Sequence, residues 1–348
     1  MLRGMGFAHQ EPFEQLPLVI TWLRLRFLKV MAEIAFITIV GQCLLPLALL
    51  AWLWRGICRS RVEWMLHALA VSAYLALIAV AGIWLLVPRY LLHGYALLGL
   101  AAAAASWQRS ERLRPRPAGR TKANLKTLSP LVLAVFCLAM LFWALGGYTP
   151  PDGPSANLAS PFKGGSFYVV NGGYSILINP HMKTLSRGSL SAFRAQSYAL
   201  DIVRMDPFGR RARGLWPGDP GQYLIFGEPV YAPCAGTVAR AEDGLPDQKP
   251  SSTDPGRPAG NHVLLKCAEA DVLLAHLKHA SLAVRPGDWV DHGQLIGKVG
   301  NSGFSAEPHL HLHAQHRGSE GDFLSAEPMP MRVDGRILVR NSQLTGSN

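Results

Sequence analysis

Residues 284–315 read VRPGDWVDHGQLIGKVGNSGFSAEPHLHLHAQ. Two runs in this stretch, WVDHGQLIGKVG and HLHLHAQ, have the composition of short strands, and a glycine-rich turn, GNSGFSAEP, separates them. Strand side chains alternate between faces, so His309, His311 and His313 share one side of the last run. A single histidine on a strand is commonly just a solvated polar position. Three on one face, straight after a glycine turn, point instead to a metal or proton-transfer site. Neutral imidazole is the commonest metal ligand and titrates near neutrality.

Similar runs extend upstream: SFYVVNGG (166–173), YSILIN (174–179), QSYALDIV (196–203), GEPVYAP (227–233), GTVARAE (236–242), NHVLLKC (261–267) and ADVLLAHL (270–277). Gly, Pro, Asp and Asn turns divide them, and none has a helical period. They predict a mainly antiparallel sheet or barrel-like sandwich over 166–330. Residues 149–165, rich in Pro, Gly and Ser, read as a linker, and 331–348 as a C-terminal tail. The turn-rich insert at 244–260 is long enough to be expected beside a site.

Residues 1–148 are different. They hold 15 Lys and Arg against 5 Asp and Glu, whereas 149–348 hold 19 against 18, so +10 of the net +11 lies in the first part. These positives fall between long apolar runs at 32–54, 64–88, 91–107 and 128–148. About 20 mainly apolar residues cross a bilayer, so about four membrane helices are expected. The third run, short and alanine-rich, fits least well. The charge is therefore a topology signal, and no nucleic-acid partner is expected. Loop 108–127 has seven Lys and Arg and one Glu, which places it in the cytoplasm. Residues 149–348 then lie outside the cytoplasmic membrane. The segment TWLRLRFLKV (21–30) carries three positives that argue for the inside, and is expected to lie on the lipid surface as an amphipathic helix. No cleavable signal peptide is expected. Of five cysteines, Cys43, Cys58 and Cys137 fall in or beside the apolar runs. Cys234 and Cys267 fall in the exported part, where a disulfide or two free thiols are both open.

Nine of the twelve histidines lie between 181 and 316. A catalytic zinc needs three protein ligands and an open position. Asp201 lies in an apolar strand where a carboxylate is otherwise costly, and His276 ends another strand. The ordered segments GEPVYAPCAGTV, GNHVLLKC, DVLLAHL, GDWVDHGQLIG, GNSG and HLH resemble the lysostaphin/LytM type of zinc metallopeptidase, over roughly 165–316. The resemblance implies a barrel-sandwich fold of the duplicated-hybrid-motif kind and hydrolysis of peptide bonds in peptidoglycan. It also implies roles. His311 and Asp201 bind Zn2+; His276 and His309 face the substrate, orienting the attacking water and stabilising the oxyanion. The usual first motif, H-x-x-x-D, has Ser197 in place of its histidine. A divergent pattern, N-x-H followed by Q-x-Y-A-x-D, fits Asn179, His181, Gln196, Tyr198 and Asp201, making His181 the first ligand. The resemblance brings the strands of Cys234 and Cys267 together and favours a disulfide. His262 and His313 are possible cleft residues, and His279, His292 and His316 surface ones. The rival expectation is a non-catalytic module that binds cell wall or activates another hydrolase. A sensor or transporter is disfavoured, because the apolar runs hold almost no ionisable groups.

Overall fold

In the computed structural model, residues 35–56, 58, 60–111, 125–317 and 323–346 are described. The amphipathic segment expected at 21–30 and most of the basic loop lie outside these residues. Four helices come first: α1 (Ala35–Arg55), α2 (Arg61–Ala81), α3 (Leu91–Glu111) and α4 (Leu125–Gly146). Helices α1, α2 and α4 are long and apolar enough to cross a membrane. Helix α3 has the length, but its Gly and Ala content and its WQRSE end leave it short of the apolarity. The expectation of about four spans is thus supported for three. Ser60 caps α2 by accepting from Glu63 N–H at 3.1 Å. A π-helical stretch, Ile39–Leu44, turns Gln42 inward, where its Nε2 donates to Ile83 O and its backbone carbonyl accepts from the Tyr95 hydroxyl.

The strands that follow are β1 (Ala156–Leu158), β2 (Ser166–Asn171), β3 (Leu200–Arg204), β4 (Pro229–Tyr231), β5 (Gly236–Glu242), β6 (Asn261–Cys267), β7 (Asp271–Leu277), β8 (Trp289–Val290), β9 (Leu295–Lys298), β10 (Leu310–Gln315), β11 (Pro328–Met329), β12 (Met331–Val333) and β13 (Gln343–Thr345). Nine form one sheet in the order β13-β2-β3-β10-β7-β6-β5-β8, with β11 added to β10, and every pairing within it is antiparallel. Two small sheets, β4-β9 and the parallel β1-β12, pack beside it. Residues 149–165 are therefore more than a linker: β1 pairs with β12, and Phe162 is fully buried in the core. The tail likewise supplies β12 and the sheet's edge strand, β13. Short apolar alternations such as ANL are too brief to be recognised until a partner strand exists.

Period-2 alternation sorts the main sheet's faces. Val169, Leu200, Ile202, Val263, Leu265, Val272, Leu274, Leu310 and Leu312 point to one side and form the core. Each fully buried aliphatic contributes about 1.5–3 kcal/mol, so the central strands β3, β10 and β7 are a rigid platform. On the opposite face, Tyr168 and Val203 pack against the helices, in one apolar cluster with Leu50, Val71, Tyr74 and Trp84. The same face, further along, carries Asp201, His311 and His313. A disulfide joins Cys234 to Cys267, tying the connection between β4 and β5 to the end of β6 with Cα atoms 6.0 Å apart.

Candidate metal centre and active site

Cross-strand register builds the floor of the site. Asp201 on β3 lies directly opposite His311 on β10, which lies opposite Ala275 on β7. Because Leu200 and Ile202 point into the core, Asp201 must point out of it. The same holds for His311 and His313 between Leu310, Leu312 and Ala314. His309, just before β10, comes up beside them, with Nε2 3.5 Å from Asp201 Oδ1.

His276 reaches this cluster by breaking the alternation. As the neighbour of Ala275 it would face the core, but its φ of 62° places it in the left-handed region. That conformation is costly for a side chain bearing a Cβ and is found where the surroundings enforce it. Here the glycine turn enforces it. Gly303 (φ 76°) passes so close to Gly260 that an added Cβ would lie 2.4 Å from its backbone nitrogen. This contact brings Ser302 onto β6 and β7, where its Oγ donates to Leu277 O and its carbonyl accepts from His276 Nδ1 at 2.9 Å.

His181 comes from a helical turn that follows Asn179. Both donors of the buried Asn179 amide are spent on backbone, Gly173 O at 2.9 Å and Ala199 O at 3.1 Å. Its oxygen therefore accepts, from His181 N–H at 3.2 Å and from His181 Nδ1 at 3.0 Å. The proton on His181 is thus on Nδ1, and the Nε2 lone pair faces Asp201 Oδ2 at 3.6 Å. Ser197 has no part in this: its hydroxyl is engaged with Thr184 and with Arg194 O, both at 2.6 Å.

The tautomer of His311 follows from a second chain. Gln315 Oε1 accepts from His313 Nε2 at 3.2 Å, so His313 Nδ1 accepts from His311 Nε2 at 3.1 Å. His311 is left with a lone pair on Nδ1, 3.0 Å from Asp201 Oδ1. Three acceptors, His181 Nε2, His311 Nδ1 and the Asp201 carboxylate, then face one another with no proton between them. A cation resolves that arrangement. Among the described residues the donor atoms of His181, Asp201 and His311 lie within 4.8 Å of one another, as do those of His276, His309 and His311. His311 has one lone pair to give, and the set that includes the carboxylate offsets a dication's charge. Two nitrogens and one oxygen with an open side are a donor set suited to Zn2+.

Burial alone would raise the Asp201 carboxyl, but His181, His309 and His311 outweigh it and hold it well below its ordinary value. Burial lowers His181 to about 4, and His276 and His313 well below the usual imidazole value; His309 and His311 reinforce the effect on His276. All three are neutral at pH 7.

The histidine cluster forms the floor of a cleft of about 540 Å3. One wall is the helical-turn segment with Leu190 and Phe193. The other is formed by Pro255 and Pro258 of the long insert and by Phe304 after the glycine turn. His262 is buried but lies off this lining, stacked on Phe323 with Nδ1 2.8 Å from Gly260 O. His279, His292 and His316 are exposed.

Residues 224–323 match the model of peptidase family M23. Over these residues the β-domain is similar to this family, and the match takes in His276, His309 and His311, while His181 and Asp201 lie before it. Among solved structures, the catalytic domain of lysostaphin from Staphylococcus simulans is 25% identical, with 32% of this chain and 81% of that one covered and a TM-score of 0.23. A peptidase M23 structure from Pseudomonas aeruginosa is 19% identical over 48% of each chain, with a TM-score of 0.25. A zinc-containing peptidase from Vibrio cholerae is 22% identical over 36% of this chain and 28% of that one, with a TM-score of 0.21. The chain thus spans less than half the length of the last two. No curated protein matches it significantly.

Three residues that hold this site were not singled out from the sequence. Ser302 fixes His276, Asn171 donates from Nδ2 to Asp201 Oδ2 at 2.8 Å, and Arg340 donates from Nη2 to Asn171 Oδ1 at 2.9 Å. Ser302 at least lies in the quoted glycine turn. Nothing local marks Asn171 or Arg340.

Proposed function

We propose that the protein is a membrane-anchored zinc endopeptidase that hydrolyses peptide bonds of peptidoglycan, with its β-domain on the outer side of the bacterial cytoplasmic membrane. The observation that carries this is the convergence of the His181 Nε2, His311 Nδ1 and Asp201 acceptors on the floor of a cleft, with His276 and His309 beside them. The M23 match supports the reaction class. The three apolar helices and the Cys234–Cys267 disulfide support the location, since disulfides persist in oxidising compartments.

In this reading His181, Asp201 and His311 hold the ion, which when bound supplies Lewis acidity at the cleft floor. His276 and His309 do the proton work. Ser302 O and Glu307 O accept from their Nδ1 atoms, at 2.9 and 2.8 Å. Both therefore present an Nε2 lone pair. The network makes them bases first: Nε2 takes a proton from the attacking water. The imidazolium so formed then has an N–H to offer the developing oxyanion, and finally returns its proton to the leaving amine. Neither histidine stabilises the oxyanion before it has been protonated. The apolar walls order the peptide and limit water at the reacting carbonyl.

The test uses the full chain in detergent micelles, zinc-loaded, on purified peptidoglycan. New amino termini should appear, should stop on chelation, and should return with Zn2+. The His309→Ala variant should keep its zinc but lose activity by about 10²–10⁴-fold. Zinc binding and peptidoglycan binding with no new amino termini would leave a non-catalytic wall-binding module. No zinc at all would refute the metal site.

A further inference from the structure

The end of helix α2 is wired to the candidate metal site through two side chains, the buried Arg340 and the half-buried Asn171. Carbonyls in the last turn of a helix have no partner within it. Here the β-domain supplies the partners: Asn341 Nδ2 lies 3.1 Å from Val80 O and 3.3 Å from Ala79 O and Gly82 O, and Arg340 Nη1 donates to Ala81 O at 2.9 Å. A guanidinium is well matched to this negative end of the helix dipole. Arg340 is buried and has further fixed partners, with Nε on Val170 O at 3.0 Å and Nη1 also on Leu177 O at 3.1 Å. Its Nη2 donates to Asn171 Oδ1, and Asn171 Nδ2 donates to Asp201 Oδ2.

The orientation of the Asn171 amide is not free. Arginine can only donate and an ionised carboxylate can only accept, so one order of atoms satisfies both neighbours. The backbone was also altered to make the link. Regular alternation from Val169, which faces the core, would turn Asn171 to the core as well. Instead the β2–β3 register shifts between Val169 and Asn171, bringing Asn171 opposite Asp201 on the cleft face.

We propose that Arg340 and Asn171 are positioning residues for the metal site, and that helix α2 acts through them to hold the Asp201 carboxylate in its ligating orientation. The helical region is then a structural part of the site rather than only an anchor. This deepens the metallopeptidase reading and rests on it.

The test is Zn2+ affinity of the full chain in micelles, measured by competition with a chromogenic chelator, together with the visible absorption of the Co2+-substituted protein. Asn171→Ala should weaken Zn2+ binding by about 10–100-fold, the usual effect of losing such a support, and should change the Co2+ bands. Arg340→Lys keeps the charge at the helix end, but its single nitrogen cannot span Ala81 O and Asn171 Oδ1; it should weaken binding in the same direction. The double variant should be no weaker than the worse single one. Arg89→Ala loosens the same helix–domain contact at Asn341 O without touching the relay, and should keep wild-type affinity. Wild-type affinity and Co2+ bands in Asn171→Ala would overturn the proposal, as would losses that multiply in the double variant or an equal loss in Arg89→Ala. If Arg340→Lys does not fold, Asn171→Ala against Arg89→Ala decides. A wild-type chain that binds no zinc would instead bring down the metallopeptidase reading itself.

Discussion

His313 is fully buried, two residues beyond a ligand, and should matter to metal binding although it does not reach the ion's position. Consider His313→Leu, which fills the same space without polar atoms. In the wild type, His311 Nε2 donates to His313 Nδ1 at 3.1 Å, which keeps the lone pair on the Nδ1 that faces Asp201. The substitution leaves a buried Nε2–H without an acceptor, a situation that costs about 1–3 kcal/mol. His311 escapes this by moving its proton to Nδ1, where Asp201 Oδ1 accepts it at the existing 3.0 Å distance. A hydrogen bond to a charged group contributes about 1.5–3 kcal/mol, and an incoming ion must now break it and return the proton to an unfavourable nitrogen. We take about 2 kcal/mol as the net, equivalent to roughly a 30-fold weaker zinc affinity. The assay is chelator competition, with near-ultraviolet circular dichroism to confirm the fold. His313→Gln, whose amide oxygen accepts from Nε2, should recover part of the loss. A folded His313→Leu protein with wild-type zinc affinity would refute the tautomer chain.

Three further outcomes are expected. His181→Ala should reduce bound zinc from about one per chain to a trace under dialysis; retention would mean that the ligand set is wrong at that corner, and His276 and His309 would become the alternatives. The metal-free protein should lose stability on acidification. His181, His276, His262 and His313 are all lowered by burial, so as pH falls through about 6.5 the unfolded chain takes up protons that the folded chain does not. Stability at pH 7 is then lost from about pH 6.5 down to about 4 for His181, at up to about 1.4 kcal/mol per pH unit for each such group. Denaturant titrations at pH 7.5 and 5 measure it, and a pH-independent midpoint would contradict it. Replacing Cys234 and Cys267 by Ala should cost about 3–4 kcal/mol, from the 33-residue separation that the disulfide closes; an unchanged midpoint of urea unfolding would mean that the bridge adds nothing.

Much of the β-domain was legible because its signals are local. The alternation in LDIVR and LHLHAQ gives both the strand and the face of each side chain, and the glycine turn before β10 gives the break. The fold brings His181, Asp201, His276, His309 and His311 together around one cleft. What stayed hidden depended on partners distant in sequence. Strand β1 has three residues and exists because β12 pairs with it in parallel. Helix α3 shows the opposite limit: its helical character was readable, but LLHGYALLGLAAAAASW is too rich in Gly and Ala for length alone to make it a span.

The site's support was hidden for the same reason, and the case of Asn171 shows why no local pattern could have revealed it. SFYVVNGG read as a plain strand puts Val169 and Asn171 on one face, and that face is the core. The residue reaches the cleft because of a one-residue register shift, which is a property of the β2–β3 pair and not of either strand alone. Its partners, Asp201 and Arg340, lie 30 and 169 residues away, and Arg340 is held in turn by a carbonyl of α2, 259 residues before it. A histidine motif can be read because the chemistry of a metal demands certain side chains at set spacings. Supports are constrained only by the need to present one donor or one acceptor at one point, a need that any segment of the chain can meet once the fold has brought it there. The sequence therefore shows the residues that would touch the ion more readily than those that would keep them in place.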